Sequence, residues 1–311
     1  MIAFQKPEGI AWWCTEGDAT VWPIVIRVVA FFAAGVAALG AASTAAAYGW
    51  PIKPFDEQHA IRGAFDDPRD GRSFHFGVDI SAPDGTPVYA VAPGTVYRYA
   101  DAVAVRRPDD QEFAYWHITA AVPEHAYVHE GDLIGYVKPP WAHVHLAEWN
   151  GKTYLNPLRP GGLEPFTDQT APVVGPIDVD GAGGRFQATV DAYDPPPIAP
   201  PPPWQDARWT PEIIRWRLLR DDRAVEDWRT AVDFANWLPP AMFDAVYAPG
   251  TTQNSPDRPG RYVFWLFRNV ELPHGRYALE VDASDTRGNT GAGWLTFEVG
   301  QSAKTVKLLS R

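Results

Sequence analysis

An all-β chain of antiparallel sheets is predicted by three observations. Val, Tyr, Phe and Trp recur in short runs bounded by Gly, Pro and Asp, the texture of strands and turns. The 311 residues include 31 prolines and 26 glycines, which interrupt any long regular helix. No stretch carries an extended 3.6-residue apolar period. The length suits about two domains, and 46% apolar residues are enough to build their cores.

The elements follow in order. Residues 1–47 read as an N-terminal targeting segment. Arg27 precedes an uncharged run over 28–42, and Ala45-Ala46-Ala47 fits a small-x-small cleavage signal before Tyr48. Glu8, Glu16 and Asp18 are unusual for the basic end of a signal peptide, so the functional start can lie near Val21, or the segment can be an uncleaved membrane anchor. A buried core helix is the third reading. The first two expect a secreted or cell-envelope protein, outside the cytoplasm, touching membrane only through that anchor. Cys14 is the only cysteine, which excludes a disulfide framework and any cysteine-based metal site.

Residues 48–165 form the first expected β domain. Pro83-Asp84-Gly85-Thr86 and Pro93-Gly94 are turn signals, and 87–91, 95–99, 113–119 and 132–137 read as strands. Residues 170–300 form the second. Strands are expected at 185–191, 213–219, 262–267, 276–283 and 294–299, with Gly288-Asn289-Thr290-Gly291 as a hairpin loop and a short helix at 226–240. Seven prolines lie between Asp194 and Trp204. They suit a loop inside the second domain better than an interdomain linker, because strand 185–191 needs partners from beyond them. Spacing and alternation suggest an immunoglobulin-like β-sandwich, and the missing cysteine pair excludes only its disulfide version. Residues 301–311 are expected to be a frayed tail.

The net charge of -11 argues against nucleic acid as a partner, which calls for a basic face. Chemistry is concentrated in two motifs, His75-Phe76-Gly77-Val78-Asp79 and His143-Val144-His145. On a strand the two histidines of HxH project to the same side. Two imidazoles and one carboxylate suit zinc, and three protein ligands leave a fourth position open for water, as in a catalytic site.

Around these motifs the chain resembles the lysostaphin-like zinc metalloendopeptidases of bacterial peptidoglycan, over about residues 50–160. The resemblance rests on Ile61-Arg62-Gly63-Ala64-Phe65, on His75 to Ile80 followed by Ala82-Pro83 and Gly85-Thr86-Pro87-Val88, and on Gly94-Thr95-Val96. It continues in Tyr115-Trp116-His117-Ile118, in Val128 to Gly135, in His143-Val144-His145-Leu146 and in Asn156-Pro157. It implies an antiparallel β-sheet metallopeptidase core in front of the sandwich. It also implies a Zn²⁺ cofactor held by His75, Asp79 and His145, with His117 and His143 as catalytic imidazoles, and bacterial peptidoglycan peptides as substrate. An uncoordinated imidazole titrates near neutrality and can move the protons of such a hydrolysis.

Three departures stand out. Lys138-Pro139-Pro140-Trp141-Ala142 replaces a Gly/Ser-rich turn before HxH and promises a stiffer, bulkier rim. Leu146 stands for a Phe, and the stretch between Ala100 and Phe113 is short. His125 and His129 compete with His117 for its role and read as exposed turn residues, while His59 and His274 read as surface residues. Asp66-Asp67, Asp109-Asp110, Asp282 and Asp285 read as solvated acids rather than calcium ligands. Trp204, Trp209 and Trp216 suit core or loop packing better than a glycan platform. The expected function is a secreted zinc endopeptidase of the cell wall. The alternatives are a non-catalytic wall-binding or hydrolase-regulating module of the same fold and an envelope adhesion protein. The sequence leaves the oligomeric state open.

Overall fold

Strands form here wherever side chains alternate between core and solvent. The run Arg185–Tyr193 places Phe186, Ala188, Val190 and Ala192 inside and its odd-numbered residues outside. The computed structural model describes residues 47–182, 184–300 and 306–310. The expected targeting segment, its cleavage site and Cys14 lie outside the described residues. Among the described residues no helix is long and apolar enough to cross a membrane.

The first half contains β1 (Ile61–Gly63), β2 (Pro68–Arg69), β3 (Ser73–Phe74), β4 (Val78–Ser81), β5 (Pro87–Tyr89), β6 (Gly94–Tyr99) and β7 (Ala102–Arg106). It continues with β8 (Glu112–Trp116), β9 (Ile118–Ala120), β10 (Tyr127–Val128), β11 (Leu133–Val137), β12 (His143–Trp149) and β13 (Tyr154–Leu155). One sheet runs β1-β4-β12-β8-β7-β6-β10, with β13 on β12, and a second runs β5-β11-β9. The strand β12 is buried along nearly its whole length, so it is covered on both faces.

The second half contains β14 (Val173–Ala182), β15 (Arg185–Tyr193), β16 (Ile213–Arg220) and β17 (Arg223–Asp233), then α1 (Phe243–Val246). It ends with β18 (Val263–Glu271), β19 (Gly275–Ser284), β20 (Thr290–Val299) and β21 (Val306–Ser310). These make a β-sandwich. The sheet β14-β15-β18 packs on the sheet β17-β16-β19-β20-β21, and Phe186, Phe264, Leu279 and Phe297 meet in the core between them. Taken in chain order, the first two strands and the fifth share one sheet while the third, fourth, sixth, seventh and eighth share the other, an immunoglobulin-like arrangement. The proline run lies between β15 and β16, so it is a loop of this half, closed at its ends by the Asp194–Trp209 bridge.

Two local expectations are corrected, and two strands carry no expectation from the sequence. Segment 226–240 is not a helix. Asp221 and Asp222 both adopt positive φ, 49° and 62°, which closes a tight hairpin and makes 223–233 an edge strand. The strand β14 lay hidden behind Gly175-Pro176, tolerated because β14 is a sheet edge and bulges between Val174 and Ile177. The short stretch after Ala100 contains a full strand, β7, paired on both sides. The tail is not frayed throughout, since Val306–Ser310 pairs with β20.

The two halves exchange aromatic side chains. Phe74, on the β2-β3 hairpin, sits in the sandwich core against Phe234, Phe243 and Tyr247. In return Trp209 enters the first core and donates its indole N–H to the Ile61 carbonyl at 3.2 Å. Asp66 and Asp67 are not solvated: both are fully buried. Asp67 accepts hydrogen bonds from the Ala64 N–H and from the backbone and hydroxyl of Thr210. Thr210 lies in the other half, which ties the halves together. Burial pushes the Asp67 pKa up to about 6 against these donors and Arg69. Phe74→Ala is expected to cost about 3–5 kcal/mol in urea or thermal unfolding, the value of emptying a buried aromatic site. A loss below about 1 kcal/mol would contradict this packing.

Candidate metal centre and catalytic groove

Register builds the site. The strands β4 and β12 are antiparallel neighbours with Asp79 directly opposite His145, and Trp116 on β8 faces His145 from the other side. Directly opposed residues bring their Cβ atoms within about 4.5–5.5 Å. His143 lies two residues before His145, so period-two alternation turns both imidazoles into the same groove while Val144 points into the core. His75 precedes β4 and is fixed by backbone hydrogen bonds to Asp66 and Asp67.

His75, Asp79 and His145 converge. His75 Nε2 lies 2.7 Å from His145 Nδ1 and 3.2 Å from Asp79 Oδ1, and His145 Nδ1 lies 3.1 Å from the same oxygen. The opposite atoms are anchored. His75 donates from Nδ1 to the Ala64 carbonyl at 2.7 Å, which leaves the Nε2 lone pair facing the centre. Arg69 donates to Asp79 Oδ2 at 2.8 Å, which leaves Oδ1 facing it.

The electrostatics suit a cation. Burial pulls His145 down to about 4 and lowers His75 as well, which favours the neutral imidazole in both. Burial pushes Asp79 up, but His75, Arg69 and hydrogen bonds from His143 and His145 outweigh it and hold the carboxyl well below the usual range. Neutral imidazole and ionised carboxylate are the forms that ligate metal. A two-histidine, one-carboxylate donor set of this kind suits zinc. Glycines make room for it. A Cβ on Gly77 would meet the Leu146 carbonyl at 2.3 Å and His145 Nε2 at 2.8 Å, and one on Gly63 would meet Arg69 and Asp79.

His117 and His143 line the same groove. His143 Nε2 lies 3.4 Å from Asp79 Oδ1, and its Nδ1 lies 2.7 Å from the Trp141 carbonyl and 2.6 Å from Arg62 Nη2. A nitrogen that donates to the carbonyl cannot accept from the guanidinium, so these two contacts favour opposite tautomers of His143. His117 does not continue a strand, as the span 113–119 suggested. Its φ of 64° ends β8, and the chain passes into β9 of the other sheet. That break brings Trp116 and His117 to the same groove although they are adjacent in sequence. His117 stacks on Trp141, with centroids 3.9 Å apart and planes at 18°, and its ring centre is 4.7 Å from that of His143. Burial, then His143 and His145, pull its pKa down to about 4. His125 and His129 are exposed turn residues away from the groove.

The groove has a volume of about 610 Å³. The second half supplies part of its wall through Trp204, Trp237 and Gln253. The Arg62 guanidinium lies 4.4 Å over the Trp204 ring. Arg62, Arg69 and Trp204 are site residues that sequence reasoning did not assign. The signal for the two arginines is their place in β1 and β2, and Trp204 suits loop packing in the sequence alone.

Residues 73–157 match peptidase family M23. The chain carries an M23 domain. The DD-carboxypeptidase/endopeptidase Mpg of Neisseria meningitidis serogroup B is 34% identical over 95 residues, covering 27% of this chain and 22% of that protein. Mpg of Neisseria gonorrhoeae matches with the same figures. The chain therefore spans about a fifth of the length of these curated relatives. Among solved structures, Helicobacter pylori Csd3 is similar with a TM-score of 0.31 and 22% identity, over 36% of this chain and 34% of that one. The catalytic domain of the prophage-encoded M23 protein EnpA from Enterococcus faecalis is similar with a TM-score of 0.30 and 24% identity, over 36% and 98%. All four histidines of the groove and Asp79 fall inside the M23 domain, whereas Arg62, Arg69 and Trp204 fall outside it.

Proposed function

We propose that this protein is a zinc endopeptidase that hydrolyses peptide bonds of bacterial peptidoglycan outside the cytoplasmic membrane. The observation that carries this reading is the convergence of His75, Asp79 and His145 on one point, with two further imidazoles beside it in an open groove. The M23 domain supports the peptidase class and the wall substrate.

Zinc bound by His75 Nε2, Asp79 Oδ1 and His145 Nδ1 would supply a Lewis acid and an acidified water. The chain's own groups do the rest. Ala64 and Arg69 orient the ligands. His143, held at Nδ1, presents Nε2 to the centre and can take up a proton there and return it to the leaving amine. His117, neutral and braced by Trp141, faces the same space and can donate or accept at the groove's mouth. The indoles of Trp116, Trp141 and Trp204 keep water from the walls and narrow the groove to an extended peptide.

The test is digestion of purified peptidoglycan by the full chain. New free amino groups should appear, cease with a zinc chelator and return with added zinc. A metal-loaded chain that releases none from several wall chemistries would reduce the protein to a non-catalytic wall module. The Trp141 rim gives a finer prediction. Trp141→Ala should lower kcat about 2- to 10-fold at unchanged zinc content, the worth of one aromatic stack, and Trp141→Phe should restore most of it. Steady-state kinetics on a wall peptide checks both.

A further inference from the structure

A second group of acids converges away from the groove. One carboxylate oxygen from each of Asp168, Asp194 and Asp285 lies within 4.8 Å of the other two. The three come from different segments: the connection between the halves, the end of β15, and the loop between β19 and β20. They line a cavity of about 20 Å³, room for roughly one water-sized occupant.

Asp194 makes this more than a cluster of acids. It is 3% exposed, and its Oδ1 is buried with no hydrogen-bond partner among the described residues. A buried carboxylate oxygen left without a partner is costly unless something occupies the space before it. The other two carboxylates are held in place. Asp285 accepts from the Arg287 and Asn289 N–H groups and from the Asn289 amide, and Asp168 accepts from Thr170. Arg287, whose charge reaches Asp168, bonds Glu164 at 3.1 Å.

We propose that Asp168, Asp194 and Asp285 bind a calcium ion that fastens the C-terminal sandwich to the peptidase half. All donors are oxygens, which selects a hard cation over zinc. Magnesium keeps several of its waters, and the cavity has no room for them. Glu212, Asn156 and Thr286 line the same cavity and offer further oxygens toward the six to eight that calcium takes. Burial and the facing carboxylates of Asp168 and Asp285 push Asp194 up to about 9, the mark of a charge that lacks a counter-ion. The ion would sit against Ala64 and Phe65, whose backbone leads to β1 and whose Ala64 carbonyl holds His75. Occupancy would therefore stiffen the rear of the groove.

Calorimetric and thermal-unfolding titrations of the full chain, its groove loaded with zinc, test this. One calcium per chain is expected, with a Kd of about 1 mM or tighter, and a Tm that rises with calcium but not with magnesium. Asp194→Asn and the half-buried Asp168→Asn should each weaken binding at least about tenfold, the loss of one charged ligand, and abolish the rise. Asp79→Ala should leave both intact, which separates this ion from the groove. If Asp194→Asn does not fold, Asp168→Asn decides. No calcium uptake at about 10 mM, ten times the weakest expected Kd, overturns the proposal in favour of a protonated Asp194. Uptake that survives in both Asn variants overturns it too, because the ion then lies elsewhere.

Discussion

Asp79→Ala should take the zinc content from one ion per chain to none and the wall-digesting activity to background. Asp79 Oδ1 stands at the meeting point of His75 Nε2, His145 Nδ1 and His143 Nε2, at 3.1–3.4 Å from all three. Removing it leaves two neutral imidazoles, which hold a divalent cation poorly without the carboxylate's charge. It also leaves the Arg69 guanidinium, which now bonds Asp79 at 2.8 Å, facing the centre unopposed, so cation repels cation. Arg69→Ala removes only the partner that orients Asp79, and the cost there is a 10- to 100-fold weaker zinc affinity with activity restored by excess zinc. Metal analysis of both variants checks the pair. Full zinc in Asp79→Ala would refute this ligand set.

His143→Ala should keep the zinc and lose activity by about 10²- to 10⁴-fold, the usual worth of a positioned general acid or base. His143 is held for such work. The Trp141 carbonyl and Arg62 compete for Nδ1 and so bias which proton Nε2 carries. It lies 3% exposed on a strand rather than on a loop. Because His143 touches Asp79 only at 3.4 Å and is not one of the three converging groups, metal content separates this loss from that of Asp79→Ala. Amino-group release together with zinc stoichiometry reads both quantities. An active His143→Ala chain would move the proton chemistry to His117.

Much of the site can be read along the chain because its spacings are short. HxxxD and HxH place ligands by local geometry, and two strands suffice to bring them together. The fold was legible for the same reason: strands 185–193 and 213–220 alternate, and alternation is a property of consecutive residues. The misreadings share an opposite cause. Asp66-Asp67 looks like a solvated pair because its partner, Thr210, stands 143 residues from Asp67. The span 113–119 looks like one strand because nothing local announces that His117 adopts φ 64° and hands the chain to another sheet. Arg223–Asp233 is so polar that its pairing with β16, not its propensity, makes it a strand.

The sequence by itself determined an all-β chain and one candidate chemistry-bearing set, four histidines and Asp79. The tertiary structure alone decided that Trp204 walls the groove, that Arg62 and Arg69 attend His143 and Asp79, and that Phe74 and Trp209 cross between the cores. The division has a physical reason. Backbone alternation and motif spacing depend on near neighbours, whereas burial of a charge or an aromatic ring depends on which distant surface closes over it.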